Sequence, residues 1–186
     1  MVITKEGRLM QLMAKSNFPW VIGTTGLDWQ HVDQLIKGTL KAPWIYAANF
    51  SLGMLMLKRS LRTLSGMANL LGKDQISYAL HEEHHLYKKD QPSGTAIEWA
   101  QIFGIKTEAC SSLRLGDIVG NHTLSLNTPG ESITISHQAN SRETFAHGVW
   151  WAIKQLRQLP TLGRECKLIH LESLIDLSLS LEERRL

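Results

Sequence analysis

Apolar residues recur along this chain in three rhythms, and the order of those rhythms predicts its architecture. Continuous runs come first. Phe18-Pro19-Trp20-Val21-Ile22 leads into Gly23-Thr24-Thr25-Gly26, and Trp44-Ile45-Tyr46-Ala47-Ala48 leads into Asn49-Phe50-Ser51. Short apolar runs that end in glycine or polar loops mark strands buried on both faces of a parallel sheet. Between them Trp29, Val32, Leu35 and Ile36 share one helical face, with Asp28 as N-cap and Gly38 at the end. A helical spacing at Leu9, Leu12 and Met13 precedes the first run. This strand–helix–strand order predicts a parallel α/β sheet, whose ligands bind beyond the carboxyl ends of the strands. The loops at those ends, Gly23 to Thr25 and Ala48 to Phe50, are candidate ligand loops; on the residues alone they fit tight turns equally well.

The helical rhythm then takes over. Leu52, Leu55, Met56, Leu61, Leu64, Ala68 and Leu71 predict one long core helix closed by Gly72. Alternation at Ile76, Tyr78 and Leu80 predicts a strand running toward a histidine cluster, and residues 95–103 look helical as far as Gly104. His122, Leu124 and Leu126 alternate, Thr128-Pro129-Gly130 turns, and Ile133, Ile135 and His137 alternate again, which is an antiparallel hairpin. A closing helix carries Phe145, Val149, Ile153 and Leu156 and stops at Pro160. A last apolar stripe holds Leu171, Leu174, Ile175 and Leu179. The chain thus begins like an α/β nucleotide fold, switches to a layer with a mixed or antiparallel sheet, and ends in helices that return to the first layer.

At 186 residues with 43% apolar content, the chain is long enough for one domain or a compact pair. The net charge of +3 is small and scattered, which argues against a nucleic-acid partner. Cys110 and Cys166 form no C-x-x-C pair, consistent with a reducing compartment. No stretch reaches the roughly 18 uncharged apolar residues of a membrane span. Lys5, Glu6 and Arg8 stand where a signal peptide needs an apolar block. The expectation is a soluble cytoplasmic protein with no membrane partner.

The chemistry concentrates in one stretch. His84-His85-Leu86-Tyr87-Lys88-Lys89-Asp90-Gln91-Pro92-Ser93-Gly94-Thr95-Ala96 sets two imidazoles and an ammonium beside a Ser-Gly-Thr turn. Imidazole and ammonium exchange protons near neutral pH once their surroundings tune them, and a turn that opens a helix offers free N–H groups to a carboxylate or phosphate. The letters His81-Glu82-Glu83-His84-His85 also spell H-E-x-x-H, which binds zinc only on a helix. On a strand His81 and His85 stand about 13 Å apart at roughly 3.3 Å per residue, too far to share a zinc, so no metal site is expected. His31, His122, His137, His147 and His170 stand alone and read as structural. Arg142, between the hairpin and the closing helix, could grip a carboxylate bidentately or serve as an ordinary helix-start charge.

These residues resemble a family. Glu82-Glu83-His84-His85, Lys88, Asp90 and Pro92-Ser93-Gly94-Thr95-Ala96 look like the E-x-H-H-x-x-K-x-D-x-P-S-G-T-A signature of 4-hydroxy-tetrahydrodipicolinate reductase, the dihydrodipicolinate reductase of bacterial lysine and diaminopimelate synthesis. Val21-Ile22-Gly23-Thr24-Thr25-Gly26, Ala47-Ala48-Asn49-Phe50-Ser51, Gly116-Asp117-Ile118-Val119-Gly120, His122-Thr123 and Ser141-Arg142 resemble further family segments, in order, so the likeness covers roughly residues 1–160. It implies reduction of a cyclic dicarboxylate by NADH or NADPH, with loss of water. By the same resemblance His84 is the acid/base residue and Lys88 the proton donor. His85, Gly94, Thr95 and Arg142 hold substrate, and Gly23, Thr24, Thr25, Ala47, Ala48, Asn49 and Phe50 contact the nucleotide. Glu82 is read as orienting the imidazoles.

The resemblance also implies a homo-oligomer, a homotetramer, and three parts. Residues 1–50 would be a residual dinucleotide-binding domain, 51–142 a substrate-binding and oligomerisation domain, and 143–186 helices returning to the first. Two departures stand out. No G-x-G-x-x-G occurs in the chain, so the family's first β-α-β portion is expected to be missing, and the stretch between Ala100 and Leu113 is shorter than usual. A catalytically impaired remnant that still assembles or binds a dicarboxylate is the alternative reading.

Overall fold

In the computed structural model, residues 10–24, 28–72, 75–158 and 167–183 are described. Helical residues 10–14 come first. The elements then follow as β1 (Trp20–Ile22), α1 (Trp29–Ile36), β2 (Trp44–Tyr46), α2 (Leu52–Leu71), β3 (Ser77–His84), α3 (Gly94–Phe103), a 3-10 turn (Thr107–Ala109), β4 (Ser111–Arg114), β5 (Gly120–Asn127), β6 (Ser132–Ala139), α4 (Glu143–Gln158), β7 (Leu168–His170) and α5 (Leu171–Glu183). They divide into two compact units, one formed by Met1–Ser51 with Phe145–Leu186 and the other by Leu52–Thr144.

The first unit holds a three-stranded parallel sheet in the order β1-β2-β7. Both apolar runs become strands, although each is shorter than its run: Phe18 is 71% exposed and stays outside β1. Asp28 caps α1 as its position predicts, its Oδ1 accepting from the amides of Gln30 and His31 at 3.1 Å each. Val32 and Ile36 of that helix are buried with Met10, Ala14, Ile22 and Trp44. The third strand, Leu168-Ile169-His170, escapes a periodicity reading because three residues carry too little pattern. It is held by pairing to β2, Ile45 opposite Ile169.

The second unit holds a mixed sheet in the order β4-β3-β5-β6, with β3 parallel to β4 and antiparallel to β5. The long helix spans the residues its apolar spacing predicts, and the hairpin forms as β5 and β6. Met54 and Leu61 of α2 and Ala96, Trp99 and Ala100 of α3 pack on Leu80, Leu124 and Leu126 of the sheet. Lys58 and Glu98 pair between the two helices. Because strand side chains alternate, the residues between these positions form the other face, lined by His81, Glu83, Asn121, Thr123 and Ser125. Strand β4 was not foreseen, since Ser-Ser-Leu-Arg has one apolar residue; pairing with β3, not burial of its own side chains, makes it a strand. The α/β class and the two kinds of sheet agree with expectation. No helix among the described residues is long and apolar enough to cross a membrane.

Candidate active site

Alternation along β3 decides what the histidine stretch can do. Leu80, Glu82 and His84 share the face that the helices cover, whereas His81 and Glu83 lie on the other, where His81 bonds Ser111 and Glu83 and Asn121 bonds Glu83. The H-E-x-x-H letters are therefore laid out along a strand that ends at His84. In register Glu82 stands opposite Ser112 of β4 and His122 of β5, and His84 stands opposite Arg114.

Glu82 is fully buried and remains a carboxylate. Burial by itself would raise its pKa, but the Ser112 hydroxyl, Arg114 and His84 together hold it below the usual range. Its Oε2 lies 2.5 Å from His84 Nδ1 and its Oε1 lies 2.8 Å from Arg114 Nη2. A carboxylate can only accept, so this contact favours the neutral His84 tautomer with its proton on Nδ1, which leaves Nε2 as the basic nitrogen. Burial lowers the His84 pKa, Lys88 and Arg114 lower it further, and Glu82 opposes them. The space beside Nε2 exists because residue 120 is glycine: a Cβ there would stand 2.9 Å from that nitrogen.

His122, expected to be structural, belongs to this cluster. Its ring centroid is 5.1 Å from that of His84 in an edge-on arrangement, and its Nε2 is 3.1 Å from Ser93 Oγ. Burial chiefly, with the neighbouring His84 charge, pushes its pKa down to about 3, so it is neutral at physiological pH. Ser93 Oγ also accepts from the amide of Ala96 at 3.2 Å and caps α3. The amides of Gly94 and Thr95 thus open a ten-residue helix whose cap is braced by the same imidazole. A signal for His122 was present in the sequence: the hairpin alternation puts it on the face of Leu124 and Leu126, which is the core face.

Lys88 sits in the loop after β3, its Nζ 2.7 and 2.9 Å from the two carboxylate oxygens of Asp90. Glu82, His84 and His122 lie close together and are of ligand type. Arg114 already balances the charge of the Glu82 carboxylate. His85 is half-buried just beyond the strand, and no described contact ties it to this cluster. Arg142 is exposed ahead of α4 and is not drawn in either.

The other predicted loops meet within the first unit. The amide of Ala47 donates to Ile22 O at 3.1 Å, and a Cβ on Gly23 would lie 3.5 Å from the Phe50 ring. Gly23, Thr24 and Ala48 are exposed, Ala47 and Phe50 are buried, and Asn49 Oδ1 accepts from the Ser51 amide at 2.8 Å. Gly148 of α4 lets the helix approach so closely that a Cβ there would stand 1.6 Å from Phe50 O. Thr25 lies outside the described residues.

Comparison with known proteins narrows what such a site can be. The family model described as dihydrodipicolinate reductase, C-terminus, matches residues 57–171. The chain is 33% identical to the 4-hydroxy-tetrahydrodipicolinate reductase of Pseudomonas fluorescens, with 88% of this chain and 66% of that protein aligned. It is 38% identical to that of Campylobacter lari, over 74% of this chain and 64% of that one. The chain therefore spans about two thirds of the length of these relatives. Among solved structures, a dipicolinate-bound dihydrodipicolinate reductase from Paenisporosarcina sp. TG-14 superposes with a TM-score of 0.64 at 23% identity, covering 91% of this chain and 69% of the other, and shares the fold.

Proposed function

Because this chain belongs to the dihydrodipicolinate reductase family, we propose that it takes part in the reduction of 4-hydroxy-tetrahydrodipicolinate to tetrahydrodipicolinate, in the cytoplasmic synthesis of lysine and diaminopimelate. The observation that carries this reading is the buried Glu82–His84 pair set beside Lys88 and the start of α3. In this reading a substrate carboxylate lies on the Gly94 and Thr95 amides at a helix N-terminus, where partial positive charge favours an anion. His85 and Arg142 complete its binding. His84, with Nδ1 fixed by Glu82, offers Nε2 as the acid/base nitrogen, and Lys88 delivers a proton to the ring being reduced. Residues 52–144 would be the substrate-binding and assembling part, and the sheet-bearing remainder would hold the nucleotide.

The residues for NADH or NADPH are Gly23, Thr24, Thr25, Ala47, Ala48, Asn49 and Phe50. The Phe50 ring beside Gly23 and the exposure of Gly23, Thr24 and Ala48 suit a planar ring with an amide, which bonds to backbone groups. When bound, the reduced nicotinamide supplies the hydride. The polar open face of the mixed sheet, with Thr123 and Ser125 at its centre, supports a homo-oligomer formed by facing sheets. The Glu82–His84 pair and the Ser93-capped start of α3 lie together in the second unit, which favours a second reading, a dicarboxylate-binding homologue without turnover.

The test uses pyridine-2,6-dicarboxylate as a planar stand-in for the substrate. It should raise the thermal midpoint of the protein. The His84→Gln and Lys88→Ala variants should lose at least ~100-fold in NAD(P)H oxidation, the scale of general acid–base catalysis, while keeping dicarboxylate affinity within a few-fold. Normal turnover in both variants would overturn the assigned roles. Dicarboxylate binding with neither NADH nor NADPH bound would establish the second reading.

A further inference from the structure

We infer that Arg114 is the positioning residue of this site, holding the proton-bearing state of the Glu82–His84 pair and the loop that carries Lys88 in one planar clamp. The inference rests on His84 and Lys88 being the acid–base groups. Arg114 is the last residue of β4, opposite His84 in register, and its side chain is mostly buried. Nη2 meets Glu82 Oε1 at 2.8 Å and donates to Asp90 O at 2.5 Å; Nε donates to Lys88 O at 3.3 Å and Nη1 to Leu113 O at 2.8 Å. One side of the guanidinium thus neutralises the carboxylate that sets the His84 tautomer. The other fixes two carbonyls of the Lys88 loop.

Neighbouring bonds show why the clamp is needed. The end of β3 and the loop rest on β4 and the segment after it through Leu86 N to Gly116 O, Leu115 N to His84 O, and Gln91 Nε2 to Ser112 O. None of those bonds reaches the carbonyls of Lys88 and Asp90, which accept from Arg114. An ammonium is a point charge with rotatable donors and cannot reach three carbonyls while also standing against the carboxylate. Charge compensation and loop holding are therefore separable by substitution.

The electrostatic consequence follows from what faces His84. Burial, Lys88 in the loop and Arg114 on β4 oppose its cation, while Glu82 on β3 favours it; His122 on β5, opposite His137 of β6, faces it as a neutral ring. Removing the guanidinium leaves a fully buried carboxylate held only by the Ser112 hydroxyl and the His84 imidazole. The pair then takes up its proton at higher pH, whichever partner carries it.

The experiment reads the His84 imidazole by NMR titration in the whole protein, with and without pyridine-2,6-dicarboxylate, and sets it beside the pH profile of turnover. In Arg114→Met the apparent proton affinity of the pair should rise at least tenfold. In Arg114→Lys it should stay within about threefold of the unmodified protein, while kcat falls more than tenfold because the Lys88 loop is no longer held. Should Arg114→Met fail to fold, Arg114→Gln, which keeps donors without charge, makes the same comparison. An unmoved titration in the uncharged variant overturns the inference, as does full rescue of turnover by lysine. If the titration moves as stated but the unmodified chain reduces no substrate, the clamp stands and the reductase assignment falls.

Discussion

Two glycines inside helices should respond to the same substitution with opposite signs. Gly148 lies within α4 and Gly66 within α2. On helix propensity alone, glycine to alanine in a helix interior stabilises by about 1 kcal/mol. At Gly66 nothing lies within 4 Å of the new methyl, so the propensity gain should appear undiminished. At Gly148 the methyl would stand 1.6 Å from Phe50 O, 2.7 Å from Phe50 C and 3.3 Å from Phe50 Cβ. Carbon–oxygen contacts settle at roughly 3.3 Å or more, so helix and loop must part by about 1.7 Å. Two of those three neighbours are backbone atoms, and Phe50 is itself buried. Overpacking of this kind costs about 1–3 kcal/mol and occasionally more. Taking the upper end and subtracting the propensity gain leaves Gly148→Ala less stable by about 2 kcal/mol, a fall of about 4–8 °C in Tm for a chain of this size. Urea unfolding followed by tryptophan fluorescence measures both variants against the parent. A Gly148→Ala protein as stable as the parent, or more so, refutes the close approach and with it the reason for a glycine there.

Two further outcomes follow from the cluster around His84. Gly120→Ala puts a methyl 2.9 Å from His84 Nε2, and the atom it meets is the far end of a side chain; the fold should lose little stability, the imidazole should turn away, and turnover should drop at least ~10-fold, whereas unchanged turnover would mean that Nε2 is not the working nitrogen. His122 provides a pH test. Its folded pKa of about 3 lies below the ordinary value of roughly 6.5, so in that window the unfolded chain binds a proton that the native one refuses. Stability should therefore fall as the pH drops from about 6.5 toward 3, by up to about 1.4 kcal/mol per pH unit from this group. His122→Asn should flatten the slope of unfolding free energy against pH between 6 and 4 by about one proton; an unchanged slope would contradict the burial of a neutral ring.

The order of the longer elements was legible in the chain because helix and strand periods are local, whereas the short β4 and β7 carry too little period to read. The spacing of Leu52, Leu55, Leu61, Ala68 and Leu71 suffices for α2, and Asp28 and Ser93 mark helix starts by their own chemistry. Gly104, in a left-handed conformation, ends α3 where its position predicts. The motif around His84 and Lys88 was legible too, since its members are near neighbours in sequence. Arg142 marks the limit of that reading: it is exposed just ahead of α4, and no local pattern in the sequence says what it faces.

What the chain alone determined, then, was which residues form the longer helices and strands and which face of each turns inward. Tertiary structure decided which inward-facing residues meet. Placing β3 between β4 and β5 sets Glu82 against Ser112 and His122, and His84 against Arg114. A shift of one residue in either pairing would carry His122 or Arg114 to the opposite face. Register between strands far apart in sequence leaves no local periodicity to read, and so the clamp, the second imidazole and the tight approach at Gly148 emerge only when the strands and helices pack.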